Sequence, residues 1–177
     1  MYLNLICFLS GERLNFVKDF LYLGHNISSG LSDDQDIKRI IRNLYATGNM
    51  LIRKFHCCNE NIRISLFKTY CYNLYCSALW SNYKASTWGK VKVCHNDIFR
   101  GLLNVPRSHS ASTLFVSKRT HNFDVLIRKN VFNFKMRFES SANRLCRAIC
   151  QSEARVHSAL WKKFSIVLRG GEEQLLW

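Results

Sequence analysis

The rhythm of apolar and polar positions changes once along this chain, near residue 30. Residues 3–27 alternate with the period of two expected of strands. "LNLICFL" and "LNFV" flank Ser10-Gly11-Glu12, which is a hairpin signal, and "FLYLGHNI" reads as a third short strand. From Ser32 the period lengthens. Ile37, Ile40, Ile41, Leu44, Gly48, Leu51, Ile52 and Phe55 recur at helical spacing and fill a stripe roughly 120° wide. Lys38, Arg39, Arg42, Asn49 and Arg53 fall on the opposite side. Ser32 followed by Gln35 predicts a capping box, and Asp33, Asp34 and Asp36 sit in the first turn, where the helix dipole favours anions.

Further helices are predicted downstream. One runs from Asn59 to about Trp80, with an apolar arc wide enough for a central bundle position (Leu66, Phe67, Tyr70, Cys71, Leu74, Ala78). The next runs from about Thr87 to Asn104, and Pro106 follows it as a stop. Ser110 is placed to cap a short helix through "ASTLFVSK", and Asn122 a longer one through "FDVLIRKNVFNFKMRF". "ANRLCRAIC" is one more piece, while the segment from Gln151 lacks sustained patterning. No internal repeat or Pro/Ser-rich linker interrupts the chain. The expected fold is therefore mainly α: a helical bundle preceded by a small N-terminal antiparallel β-hairpin element. The expected divisions are residues 1–30, 31–150 and 151–177.

Charge changes this picture more than composition does. At 47% hydrophobic and 13% aromatic, the 177 residues are those of a folded protein. Yet 26 Lys and Arg face only 12 Asp and Glu, a net +14. Such an excess favours a polyanionic partner, with nucleic acid ahead of an anionic membrane because the cations are spread over several segments. No apolar run reaches the ~20 residues of a membrane span. "YLNLICFL" lacks the basic start and small-residue cleavage site of a secretory signal. Eight cysteines, most within helical patterns, read as small buried hydrophobes in a reducing, intracellular setting.

Site chemistry narrows the field further. His56 with Cys57-Cys58, Cys71 with Cys76, Cys94-His95, and Cys146 with Cys150 lack zinc-finger spacing, so no metal site is expected. There is no nucleophile elbow and no glycine-rich phosphate loop. Polymerase chemistry needs paired carboxylates around two metals, whereas Asp33-Asp34 are accounted for by their place in a helix's first turn. No catalytic residue and no cofactor is assigned. The strongest signal is the basic helix face. Between Ile37 and Asn59 no acidic residue occurs, so the face cannot balance its charge through i,i+4 pairs. Phosphates would neutralise it with release of counterions. The candidate nucleic-acid-binding residues are Lys38, Arg39, Arg42, Arg53, Lys54 and Arg63.

The order of elements also carries a likeness. "NFVKDFLYLGHNIS", "DDQDIKRIIRNLYATGNMLIRKF", "LFKTYCYNLYCSALW" and "HNDIFRGLLNVPRSHSASTLF" together resemble the C-terminal side of reverse transcriptases encoded by non-LTR (LINE-like) retrotransposons, over about residues 14–150. The resemblance implies that Tyr22, Leu23 and Gly24 match a palm-end, primer-grip-like turn, and that the basic helix matches the start of a thumb lying along template–primer. It implies RNA or DNA as partner, and a catalytically incomplete piece, because the family's palm carboxylates have no counterpart here. The rival expectation is a remnant without nucleic-acid binding, either a pseudogene-like product or one whose exposed β element is covered by a protein partner.

Overall fold

The structure, a computed structural model, describes residues 8–169. Its N-terminal part is two small hairpins. β1 (Phe8–Leu9) pairs with β2 (Glu12–Arg13), and β3 (Asp19–Tyr22) with β4 (His25–Ser28), both antiparallel. Each turn places two residues at positive φ, Ser10 and Gly11 at 52° and 84°, Leu23 and Gly24 at 48° and 80°. That is the twist-compatible two-residue hairpin loop. "FLYLGHNI" is therefore not one strand but two strands and a turn, because Gly24 supplies the reversal. "LNFV" is not a strand either: Leu14–Val17 have no ladder partner among the described residues and are exposed. Leu3–Cys7 of "LNLICFL" lie outside the described residues.

Among the described residues eight helices follow: α1 (Asp34–Lys54), α2 (Glu60–Cys71), α3 (Ala85–Leu102), α4 (Ala111–Ser117), α5 (Phe123–Glu139), α6 (Arg144–Gln151), α7 (Ala154–His157) and α8 (Ala159–Arg169). With them the mainly helical class stands. α1 buries Ile37, Ile40, Leu44, Gly48 and Leu51. It runs beside α3 in the same direction. The Asp34 carboxylate takes the Lys84 amide at 3.0 Å, and the Cys94 thiol reaches the Ile41 carbonyl at 3.9 Å. Two glycines let these helices approach. A Cβ on Gly48 would lie 2.6 Å from Ile98 Cγ1, and one on Gly101 2.9 Å from Ile52 Cδ1. Each glycine thus seats an isoleucine of the other helix, a ridge-into-groove contact of unusual closeness.

Side-chain caps set several helix starts. Asn59 accepts from the Ile62 amide, Ser110 from Thr113, Asn122 from Val125 and Asn143 from Leu145. The capping box at Ser32 and Gln35 does not form. The residue at the α1 N-cap is Asp33, and its carboxylate is engaged by the amides of Ser81 and Asn82 at 2.7 and 2.8 Å.

Those same bonds explain why the helix expected to reach Trp80 ends at Cys71. Residues 72–84 fold into turns that bury Leu74, Ala78 and Trp80, with Cys76 at φ +64°. A continuing helix would consume the amides that Asp33 now holds. The core joins Phe67 of α2, His95 and Phe99 of α3, Phe115 of α4 and Phe123 of α5. The segment after Gln151 is regular after all. α8 packs on α5 through Phe164, which is buried against Phe134, with Trp161 against Phe138. The cysteines divide. Cys71 and Cys94 are buried, and burial pushes both thiols up to about 12; Cys57 is exposed, and Cys146 and Cys150 are half-buried on α6, a helix that buries no residue fully.

Candidate nucleic-acid interface

The candidate cations separate by what they touch. Lys38, Arg42 and Arg53 share one exposed flank of α1, spanning about 22 Å at 1.5 Å per residue, with Tyr45 and Asn49 between them. Lys54 is exposed in the last turn. Among the described residues, none of Lys38, Arg42, Arg53 and Lys54 forms an ion pair; Arg53 only bonds back to the Asn49 carbonyl at 3.4 Å. The other two candidates are occupied. The Arg39 guanidinium donates to Asp36 Oδ1 through Nε at 2.9 Å and Nη2 at 2.7 Å. Arg63 is half-buried and donates through Nη1 to the Leu102 carbonyl at 2.8 Å, closing the end of α3. Neither guanidinium belongs to the free strip.

Asp36 is the polar centre of the fold. It is fully buried and accepts from Trp80 Nε1 at 2.8 Å, from the Asn26 amide at 3.2 Å and from Arg39, with His25 Nδ1 at 3.1 Å. Burial pushes its carboxyl up, but the indole, guanidinium and amide donors together hold it below the usual carboxylate range. Through this one side chain the β3–β4 hairpin, α1 and the 72–84 segment are tied. Asp34 is likewise held low, chiefly by the Lys84 amide.

The primer-grip-like residues lie elsewhere. Tyr22 and Leu23 are exposed at the hairpin tip, and Gly24 sits over a pocket shared with Arg39, Asn43, Thr47, Tyr70 and Tyr75. At about 100° per residue Arg39, Asn43 and Thr47 are centred about 120° around α1 from Lys38 and Arg42. The hairpin tip and the free cations are therefore not brought onto one face.

A groove that sequence reasoning missed adjoins the free strip. Lys38, Ile41, Arg42 and Tyr45 of α1 face Gly89, Lys90 and Val93 of α3 across a volume of about 720 Å³. Lys90 is exposed and forms no ion pair among the described residues. Asp97, the acid beside Tyr45, is already paired with Arg100 at 3.1 Å and Arg107 at 2.9 Å. Burial, aided by Cys94 and Asp97, holds the Tyr45 phenol above its usual range, so the ring is neutral at pH 7. Lys90 stands in "GKVKV", where only the pairing of α3 with α1 reveals which lysine joins the strip.

Among the described residues, no group of three or more His, Cys, Asp or Glu is placed to hold a metal ion, and no helix is long and apolar enough to cross a membrane. No known protein family, curated protein or solved structure matches this chain.

Proposed function

We propose that this chain holds a nucleic-acid backbone without reading its sequence, through Lys38, Arg42, Arg53 and Lys90. The observation that carries the reading is the pattern of pairing. Four cations on one side of α1 and α3 have no carboxylate partner among the described residues, in a chain of net charge +14. An ordinary solvated helix face carries both signs and pairs them at i,i+4. This one does not, and phosphates supply the missing counter-charge. The likeness of residues 14–150 to the C-terminal side of non-LTR retrotransposon reverse transcriptases supports the same role, a thumb-like surface that contributes grip and no carboxylate chemistry of its own.

Binding of this kind falls at ~10⁻⁴–10⁻⁶ M at physiological salt, and four neutralised phosphates give a log–log salt slope of about −3.6 on duplex. The test is a salt titration of binding to an RNA–DNA hybrid, with Arg42→Ala and Arg53→Ala beside the unmodified chain. Each substitution should lower the slope by about one. A flat salt response, or two silent variants, would refute the reading.

A second reading rests on a different surface. Phe20, Leu21, Tyr22 and Leu23 are 54–73% exposed on a two-stranded sheet whose β3 edge has no strand partner among the described residues, while its β4 edge is tied to α1 through the Asn26 amide. Such a surface suits a protein partner that covers the β element. If Leu21→Ser with Leu23→Ser leaves the melting temperature unchanged and abolishes self-association in sedimentation, a protein-covering role is favoured; unchanged sedimentation argues against it.

A further inference from the structure

We propose that the groove between α1 and α3 takes one unpaired nucleotide of a single strand. Its base lies on Tyr45 and Val93, and the flanking phosphates lie against Lys38, Arg42 and Lys90. The inference rests on the phosphate-holding reading above and goes beyond it, to a preference for single strands. Phosphate contact alone requires only surface cations. Here the cations ring a recess with an apolar, aromatic floor. A duplex keeps its bases stacked and offers that floor nothing, whereas an unpaired base presents a π-face to any aromatic platform.

Size and charge together favour a nucleotide over a polypeptide. The volume of about 720 Å³ lies within the ~300–1,000 Å³ of small-ligand sites. The lining extends along α1 from Gln35 to Tyr45, about 15 Å, and its rim of Lys38, Arg42 and Lys90 carries no carboxylate, which suits flanking phosphates better than a polypeptide of mixed charge. The sequence itself opens the recess. Gly89 lies inside α3, and a Cβ there would meet no atom within 4 Å. A longer residue at 89 would fill the groove without disturbing the backbone.

That opening supplies the experiment. The full chain is titrated by fluorescence anisotropy with a labelled oligothymidylate of about 20 nucleotides and with a duplex of the same length, for the unmodified chain, Gly89→Leu, Tyr45→Ala and Tyr45→Phe. Thermal melts confirm that each variant folds, and Leu at 89 also favours helix over Gly. Gly89→Leu and Tyr45→Ala should each weaken the single strand about tenfold, the scale of one lost base stack, and leave the duplex within about twofold. Tyr45→Phe should bind like the unmodified chain. An abasic strand of equal length should bind Gly89→Leu and the unmodified chain alike.

If Gly89→Leu leaves the single strand unaffected, or weakens both probes equally, the nucleotide groove is refuted. Should Lys38→Ala with Arg42→Ala weaken both probes meanwhile, phosphate holding survives alone. An acidic amphipathic peptide that binds with sensitivity to Gly89→Leu, while the oligothymidylate lacks it, would overturn the proposal in favour of a protein ligand. Loss of salt dependence with every probe would remove both readings.

Discussion

His95 is fully buried in α3, with its ring 5.0 Å from Phe67, 5.6 Å from Phe115 and 6.0 Å from Phe123, and neither ring nitrogen has a hydrogen-bond partner among the described residues. Burial pulls its pKa from the usual 6.5 down to about 4, against the weaker opposing pull of Asp124 and Asn96. The consequence for stability has a definite sign. The unfolded chain takes up a proton on this ring as pH falls through about 6.5, and the folded chain waits until about 4. Between those values the unfolded state binds more protons, so stability falls as pH falls, and below about 4 this group adds no further loss. At 1.36 kcal/mol per pH unit the loss is about 3 kcal/mol, or roughly 6–12 °C in melting temperature for a chain of this size.

His95→Phe isolates the effect. Phe keeps a flat aromatic ring among aromatic neighbours and removes both unpartnered nitrogens, each of which is costly when buried. The assay is a set of thermal melts from pH 7.5 to 4, by circular dichroism, for the two chains. Carboxylates such as Asp34 and Asp36 also lose stabilisation in acid, but they do so equally in both, and the difference between the curves cancels them. The variant should match or exceed the original at pH 7.5 and pull ahead steadily between pH 6.5 and 4. Parallel curves would refute the argument, because they would mean that the buried ring is not held neutral by its surroundings.

Three other expectations follow from equally local features. Asp36→Ala leaves Arg39 unpaired and releases the Trp80 and Asn26 donors, so urea unfolding should show a loss of about 3–5 kcal/mol, with faster amide exchange over residues 25–28. Gly48→Ala sets a methyl 2.6 Å from Ile98 Cγ1 and should cost about 1–3 kcal/mol, and Ile98→Ala in the same chain should recover part of that loss, measured as a double-mutant cycle. Lys163 is buried on α8, where its ammonium donates to the Ser77 carbonyl at 3.0 Å and burial lowers its pKa from 10.5 to about 8. Its protonated form is disfavoured in the fold, so stability should rise by about 3 kcal/mol as pH climbs from about 8 to 10.5, a rise that Lys163→Met should abolish in equilibrium unfolding.

What could be read in the sequence was whatever is written locally. The α1 stripe from Ile37 to Leu51 repeats at helical spacing, and the caps at Ser110 and Asn122 act on amides three residues away, so both were visible. Where sequence and structure part, most of the deciding partners are distant in the chain. Nothing near Tyr72 announces that α2 must stop; the reason sits at Asp33 and Asp36, which draw residues 80–82 into their own hydrogen bonds. Helical spacing put Arg39 with Lys38 and Arg42, but the buried Asp36 three residues before it turns it inward. Arg63 is likewise taken by the Leu102 carbonyl, 39 positions away. The groove needs α1 and α3 side by side, so Lys90 and Gly89 carried no signal of their own. α8 was missed because its apolar set is short, and only α5 gives Phe164 something to pack on.

The proposed grip and the observed fold are linked through the acidic residues. In a chain this basic each carboxylate is scarce, and where it is used determines which cations stay free. Asp33 and Asp34 engage backbone amides and neutralise no side chain in an ion pair. Asp36 neutralises Arg39 in the interior, and Asp97, Asp124, Glu60 and Glu139 pair with cations outside α1. The acids that begin α1 are thus consumed in closing the 72–84 segment over the core, and the exposed flank of the same helix is left with cations alone. Lys38 and Arg42, one turn apart, repel each other by a few tenths of a kcal/mol. The fold tolerates this because the buried stripe of α1 contributes far more. An anion from outside would relieve the repulsion, so the proposed grip would draw on the same residues that hold the fold together.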